Sequence, residues 1–265
     1  MFGWNPFKKE VAPAPQAESE IEPDALALLR EIVHLRDDTL GQDHRPMLRL
    51  IRDTMFLLPL SEPLRQTERG VLMRYMTFED DQVLCAFTDP ARMRDFFRDY
   101  PAQGLDVSYQ SGESLGEIAQ NAGFRKVILN PNSDILFAMP PLVFGAIAHG
   151  MVIGHISDEE LPEGEMILGR CLAGMPPMDA LDAFRVVLQQ FGATEAYWAA
   201  LVLAPGEMRF CIGVAAPPNA FETLPDELVS AWIGRWPMPT PLYVFPLDGS
   251  VPQRDTAFRA SDRIL

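Results

Sequence analysis

Four histidines, three cysteines and a dense set of carboxylates are the residues with which this chain can do chemistry, and their spacing limits what that chemistry can be. His34, His44, His149 and His155 form no pair at metal-ligand spacing; His149 and His155 stand six apart across Gly150 and Gly154. Cys85, Cys171 and Cys211 are an odd number, widely separated, each inside an apolar run where cysteine serves as a small core residue. That pattern argues against a disulfide framework or a zinc site and fits a reducing compartment. As a nucleophile Cys85 would need a nearby base and an exposed, electropositive setting, and a mid-strand position between Leu84 and Ala86 supplies neither. Residues 111–116 (SGESLG) carry glycines near a helix start but lack the Gly-Lys-Ser/Thr end of a phosphate loop and the Gly-x-Gly-x-x-Gly frame, so helix capping accounts for them.

The sharpest local candidate is Asn130, Pro131, Asn132, Ser133 and Asp134. It follows an apolar run, and α/β proteins gather ligand-binding groups where strands end. Ordinary turn chemistry accounts for the same residues, since Asn, Ser and Asp bond their own backbone and Pro sets φ. A second candidate is Trp236 with the proline-rich stretch 237–241 (PMPTP), because aromatic side chains are enriched at interface centres. A third is the aromatic start, Phe2, Trp4 and Phe7 ahead of Lys8 and Lys9, suited to a partner groove or a membrane surface and equally to a frayed terminus.

The background charge narrows the partners. Over 265 residues, 37 Asp and Glu oppose 22 Lys and Arg, a formal net charge of -15. Both halves share the excess: 15 basic against 25 acidic residues through Glu160, and 7 against 12 after it. Such a field repels phosphate backbones, which excludes general nucleic-acid binding as an expectation. Arg92, Arg94 and Arg98 are interleaved with Asp89, Asp95 and Asp99 and read as a solvated helix face. At 48% hydrophobic and 22% charged the composition is that of an ordinary globular protein. No stretch has the ~18 apolar residues a membrane helix needs, and residues 11–23 (VAPAPQAESEIEP) do not form the apolar heart of a secretory leader. A cytoplasmic location is expected.

The elements that would position these residues read as two α/β units behind a helical extension. Residues 1–23 form a tail, and 24–55 two helices. In the first helix Leu26, Leu29, Ile32 and Val33 share a face behind an Asp24 cap; in the second, Pro46 opens the first turn and Leu48, Ile51 and Met55 share a face. The first domain, 56–150, interleaves strands at 55–60, 71–88 and 125–130 with helices after Asp89-Pro90, after a Ser114/Glu117 capping box, and at 141–150. A connector at 151–163 leads into 164–248. Here the order strand 166–173, helix from Pro176-Pro177, strands 195–204 and 208–216, helix 225–233 and strand 242–247 is the β-α-β-β-α-β order of a ferredoxin-like sandwich. Residues 249–265 read as a loosely ordered polar tail. The fold class is thus α/β (α+β).

Residues 83–97 (VLCAFTDPARMRDFF) and 128–134 (ILNPNSD) together resemble the SseB-like family, named for an enhanced-serine-sensitivity phenotype in bacteria. The likeness covers about 55–150 for an SseB N-terminal-type domain. The segment 164–248 is similar to the companion C-terminal domain through 169–184 (GRCLAGMPPMDALDAF) and 196–201 (AYWAAL). The helical extension and the very apolar helix after Met139 depart from that pattern. The resemblance implies two α/β domains and a non-catalytic regulatory or protein-interaction role, with a link to serine or sulfur amino-acid metabolism. It brings no catalytic residues, since no activity is established for the family. A protein partner and a homodimer are expected; no cofactor, metal or nucleic acid is. The alternative is a small-ligand sensor or an enzyme with a polar site at Asn130–Asp134 in an inter-domain cleft.

Overall fold

In the computed structural model the described residues are 22–36, 43–60, 76–78, 81–99, 106–154, 167–204, 206–233, 242–247 and 262–265. Helix α1 (Pro23–Arg36) starts one residue before the expected cap, so Asp24 sits in its first turn. Its buried face is Ala25, Leu28, Leu29, Ile32 and Leu35, while Val33 is exposed. The face is thus rotated from the expected one, with Leu28, Ile32 and Leu35 in the same core as Met47, Leu48 and Ile51. Helix α2 (Arg45–Asp53) has proline in its first turn, as expected, and buries Met47, Leu48 and Ile51. Met55 is not on that face: the chain turns extended at Thr54, and Met55 opens strand β1 (Met55–Leu60) with its side chain exposed.

Strands β2 (Met76–Phe78) and β3 (Asp81–Ala86) pair antiparallel, and helix α3 (Pro90–Asp99) follows β3 through Thr88-Asp89. A strand that the sequence reading missed, β4 (Asp106–Ser111), runs antiparallel to β1. Helix α4 (Gly112–Asn121) begins earlier than the Ser114 capping box predicted: Ser111 is the N-cap, its hydroxyl accepting from the Ser114 N–H at 3.2 Å. Only glycine fits at position 112, where a Cβ would lie 1.8 Å from the Ile51 carbonyl oxygen. Strand β5 (Lys126–Leu129) then runs parallel to β3, and β6 (Phe137–Met139) antiparallel to β5. The sheet order is β2-β3-β5-β6, joined to β1 by a bridge between Leu57 and Phe87. Helix α5 (Pro141–Ile147) is buried from Leu142 to its end, which explains its apolar composition.

The second unit holds β7 (Val152–Ile153), β8 (Ile167–Gly169), α6 (Met178–Gln190), β9 (Glu195–Ala204), β10 (Glu207–Ala215), a 3-10 turn at Pro218–Glu222, α7 (Leu224–Ile233) and β11 (Leu242–Pro246). The helix and strand content is the expected mixed α+β kind, and the β-α-β-β-α-β order is present. The strand arrangement is not ferredoxin-like. In a split β-α-β unit the helix-linked strands are parallel, with another strand between them. Here β8 and β9 are direct antiparallel neighbours, β10 and β11 direct parallel ones, and the order is β11-β10-β9-β8. The reason is occupancy: β9 covers one edge of β10, while β7 and β11 share the other, at Glu207–Met208 and Phe210–Val214. The outer edge of β9 is what remains for β8. Strand β7 lies within the expected connector; residues 155–166 of that stretch lie outside the described residues.

One apolar core runs through both units, from Leu28, Leu48 and Phe56 through Leu129, Val143 and Ile147 to Phe184, Trp198, Phe210 and Trp232. The last four rings form a nest, with Trp198 and Phe210 stacked at 5.0 Å and Trp232 tilted against Trp198 at 5.7 Å. Such pairs add about 0.5–1.5 kcal/mol each to the burial of their area.

Candidate functional site

The two segments that stood out in the sequence, far apart in the chain, meet at the carboxyl ends of β3 and β5. Their parallel register, Val83↔Lys126 through Ala86↔Leu129, brings both ends level. One further ladder bond follows, from the Asn130 N–H to the Ala86 carbonyl at 2.8 Å. Then β3 changes neighbour: Phe87 exchanges both backbone bonds with Leu57. The next amide, Thr88 N–H, therefore has no strand partner, and a buried unpaired amide is costly. The Asn130 side chain supplies the acceptor, its Oδ1 taking the Thr88 N–H at 3.0 Å. The Thr88 hydroxyl lies within bonding distance of both Asn130 Oδ1 and Asp89 Oδ2, with one proton to serve them.

Asp89 completes the latch and starts α3. Its Oδ1 accepts the Arg92 N–H at 2.9 Å, the expected cap, and its Oδ2 pairs with the Arg92 guanidinium. Asp89 is 2% exposed and Asn130 0%. The backbone of Asn130 is left-handed, φ 50°, a conformation asparagine visits more readily than most residues. A short side chain with an acceptor and tolerance of that backbone describes asparagine closely. Its Nδ2 is buried without a hydrogen-bond partner among the described residues.

The rest of the candidate turn runs from buried to exposed. Pro131 is buried, Ser133 half-buried, and Asn132 and Asp134 are exposed. Asn132 is also left-handed, φ 61°. The turn closes through Ser133 N–H to the Asn130 carbonyl at 3.2 Å and Ile135 N–H to the Ser133 hydroxyl at 3.0 Å. The next residue, Leu136, leaves 40% of its surface open. Trp236, Phe2, Trp4 and Phe7 lie outside the described residues.

Sequence reasoning missed a second polar centre, where α2 meets β10. Glu207 is buried and faces three guanidiniums, Arg49 at 3.5 Å, Arg45 at 3.6 Å and Arg209 at 3.8 Å. Arg209, 3% exposed, donates to the Tyr243 hydroxyl on β11. Nearby, Arg52 donates to the Gly150 carbonyl at 3.3 Å. Arg45, Arg49 and Arg52 recur every three to four residues along α2, a helical face legible in the sequence; their carboxylate, some 160 residues on, was not.

The remaining chemistry is muted. Burial pushes all three thiols up to about 12, so Cys85, Cys171 and Cys211 stay protonated near neutral pH. His34 and His149 are exposed, His44 is buried, and His155 lies outside the described residues. Among the described residues no group of His, Cys, Asp and Glu is placed to hold a metal ion, and no helix is long and apolar enough to cross a membrane. No protein-family model matches the chain, and no curated protein matches its sequence. The SseB-like resemblance therefore rests on the quoted segments alone.

Proposed function

We propose that the chain is a non-catalytic regulatory protein of the SseB-like type, acting in the cytoplasm through contact with a protein partner. The observation that carries this reading is the turn after β5. Buried Asn130 pins it, while Asn132, Asp134 and Leu136 face outward. A pre-organised turn with polar groups around an apolar side chain has the make-up of an interface patch and loses little entropy on binding. The link to serine or sulfur amino-acid metabolism and a homodimeric state belong to the same proposal.

A small-ligand site at these strand ends is the second reading, favoured by the unpartnered Asn130 Nδ2. It is the weaker one, because the Asn130 oxygen is engaged by Thr88 and a ligand would have to open the latch. A photo-crosslinking residue placed at Asn132, and separately at exposed Val33, separates them in cells. One discrete protein adduct at position 132, missing at 33, supports the interaction reading. No adduct, with a small molecule co-purifying with wild type and lost in Asn132→Ala, supports the ligand reading instead.

A further inference from the structure

Residues 262–265 are not the loose end that their polar surroundings predict. The segment lies along the outer edge of β9: the Ile264 N–H donates to the Ala196 carbonyl at 2.8 Å, and Arg263 bridges antiparallel to Tyr197. Strand β8 covers the same edge further along, at Ala200–Val202, so the segment occupies the stretch β8 leaves bare. Side chains specify the fit. Ile264 is 3% exposed within the main core. Arg185 on α6 donates through Nε to the Ile264 carbonyl at 3.0 Å. Arg170, just past β8, pairs through Nε with Asp262 at 3.1 Å, and Asp262 is itself buried. Strand pairing thus supplies affinity, while an arginine and an apolar socket two residues apart supply selectivity, the logic of strand addition to a sheet edge.

The connection back to the fold is long for the distance it covers. Leu247 bonds the Val214 carbonyl, and Val214 is level with Ala196. Three strand spacings, about 14 Å, therefore separate the end of β11 from the docked segment. The fourteen residues 248–261 can span about 46 Å. A linker of that length reaches the edge with residues to spare.

We propose that the β9 edge at Ala196–Tyr197 is a docking groove for an extended partner peptide carrying an acidic residue two positions before a large aliphatic one. The chain's own Asp262-Arg263-Ile264-Leu265 is the tethered competitor that keeps the groove closed. The proposal rests on the interaction reading above but uses a different surface, so crosslinking at position 132 and peptide binding here fail independently.

The probe is a labelled octapeptide with the sequence of residues 258–265 (FRASDRIL), titrated into the intact chain and into one lacking residues 262–265. A tethered competitor at about 1 mM effective concentration weakens a peptide of about 0.1 mM affinity roughly tenfold. The shortened chain should therefore bind about tenfold more tightly than the intact one. Peptides carrying Ile264→Asp or Asp262→Lys should bind at least tenfold more weakly than the parent. Equal binding to both chains overturns the proposal, as does no binding to a shortened chain whose circular dichroism is unchanged. A dimer of the intact chain that vanishes on shortening also overturns it, because the occupant is then a second copy. If the shortened chain does not fold, intact Asp262→Lys takes its place: the added lysine faces Arg170 and loosens the segment. Peptide binding no tighter than to wild type refutes the idea there too.

Discussion

At the ends of β3 and β5 the chain buries an asparagine, a threonine and an aspartate, and each answers a local need. Asn130 accepts the amide that β3 leaves unpaired, and Asp89 caps the helix that begins beside it. On β10 the buried polar groups act across distance. Glu207 gathers arginines from α2, at the other end of the sequence, and from its own strand, while the ring nest around Trp198 fills the space behind. The difference is one of reach. The first centre shapes a turn and sets what it displays; the second holds the helical extension against the second sheet. Damage to the first should stay local, whereas damage to the second should be felt throughout the molecule.

The largest effect is expected from Trp198→Ala, which empties the centre of the nest and removes the indole bond to the Gly174 carbonyl. Denaturant unfolding should show a loss of about 4 kcal/mol. Next comes Glu207→Gln, which removes the carboxylate that buried Arg209 and Arg49 face, while Arg45 keeps its pair with Asp43 at 2.8 Å. A loss of about 3 kcal/mol is expected, partly recovered at high salt because Arg49 is half-exposed. A change that is the same at every ionic strength would contradict a charge hub.

Asn130→Ala should cost about 2–3 kcal/mol, from the unpaired Thr88 amide and the left-handed backbone. Asn130→Gly should recover about 1 kcal/mol of that by relieving the backbone alone. If alanine and glycine are equal, φ at this position carries no strain and the latch is hydrogen bonding only. Hydrogen exchange should speed up at Thr88 and in the turn, yet not in β9 or β10.

The thiols give the most uniform effect, because burial treats the two units alike, and near neutral pH it is the smallest because it appears only above pH 9. Each thiol titrates near 12 in the folded chain against an ordinary value of 9.0. Below pH 9 both states hold these protons and stability is unaffected. Above it the unfolded chain releases protons that the folded chain keeps, so stability falls as pH rises from 9 towards 12. In Cys85→Ala that fall should be shallower by about 1.4 kcal/mol per pH unit. Equal slopes would mean that Cys85 ionises in the folded protein.

The candidate site was legible in parts but not as a whole. Asp89-Pro90 announced a helix start, and Asn130 to Asp134 announced a turn, because caps and turns are chemistry between near neighbours. That Thr88 and Asn130 would bond each other depended on β3 and β5 being parallel neighbours in one register. Val33 and Met55 show the same limit on a smaller scale. Apolar spacing announced two helices but misplaced both residues, since which flank of a helix is buried depends on what packs against it.

The sequence by itself determined the mixed α+β composition, most element positions, the protonated core cysteines and the acidic surface. These follow from side-chain type, periodicity and local backbone chemistry. Only the tertiary structure decided that β8 sits beside β9 instead of between β10 and β11, that β4 covers β1, that two arginines of α2 and one of β10 converge on Glu207, and that Asp262–Leu265 closes an edge of the second sheet. Each of those depends on which strand edges and polar groups were still open once the long β9–β10 hairpin and the common core had formed, a competition between distant segments that no local pattern records.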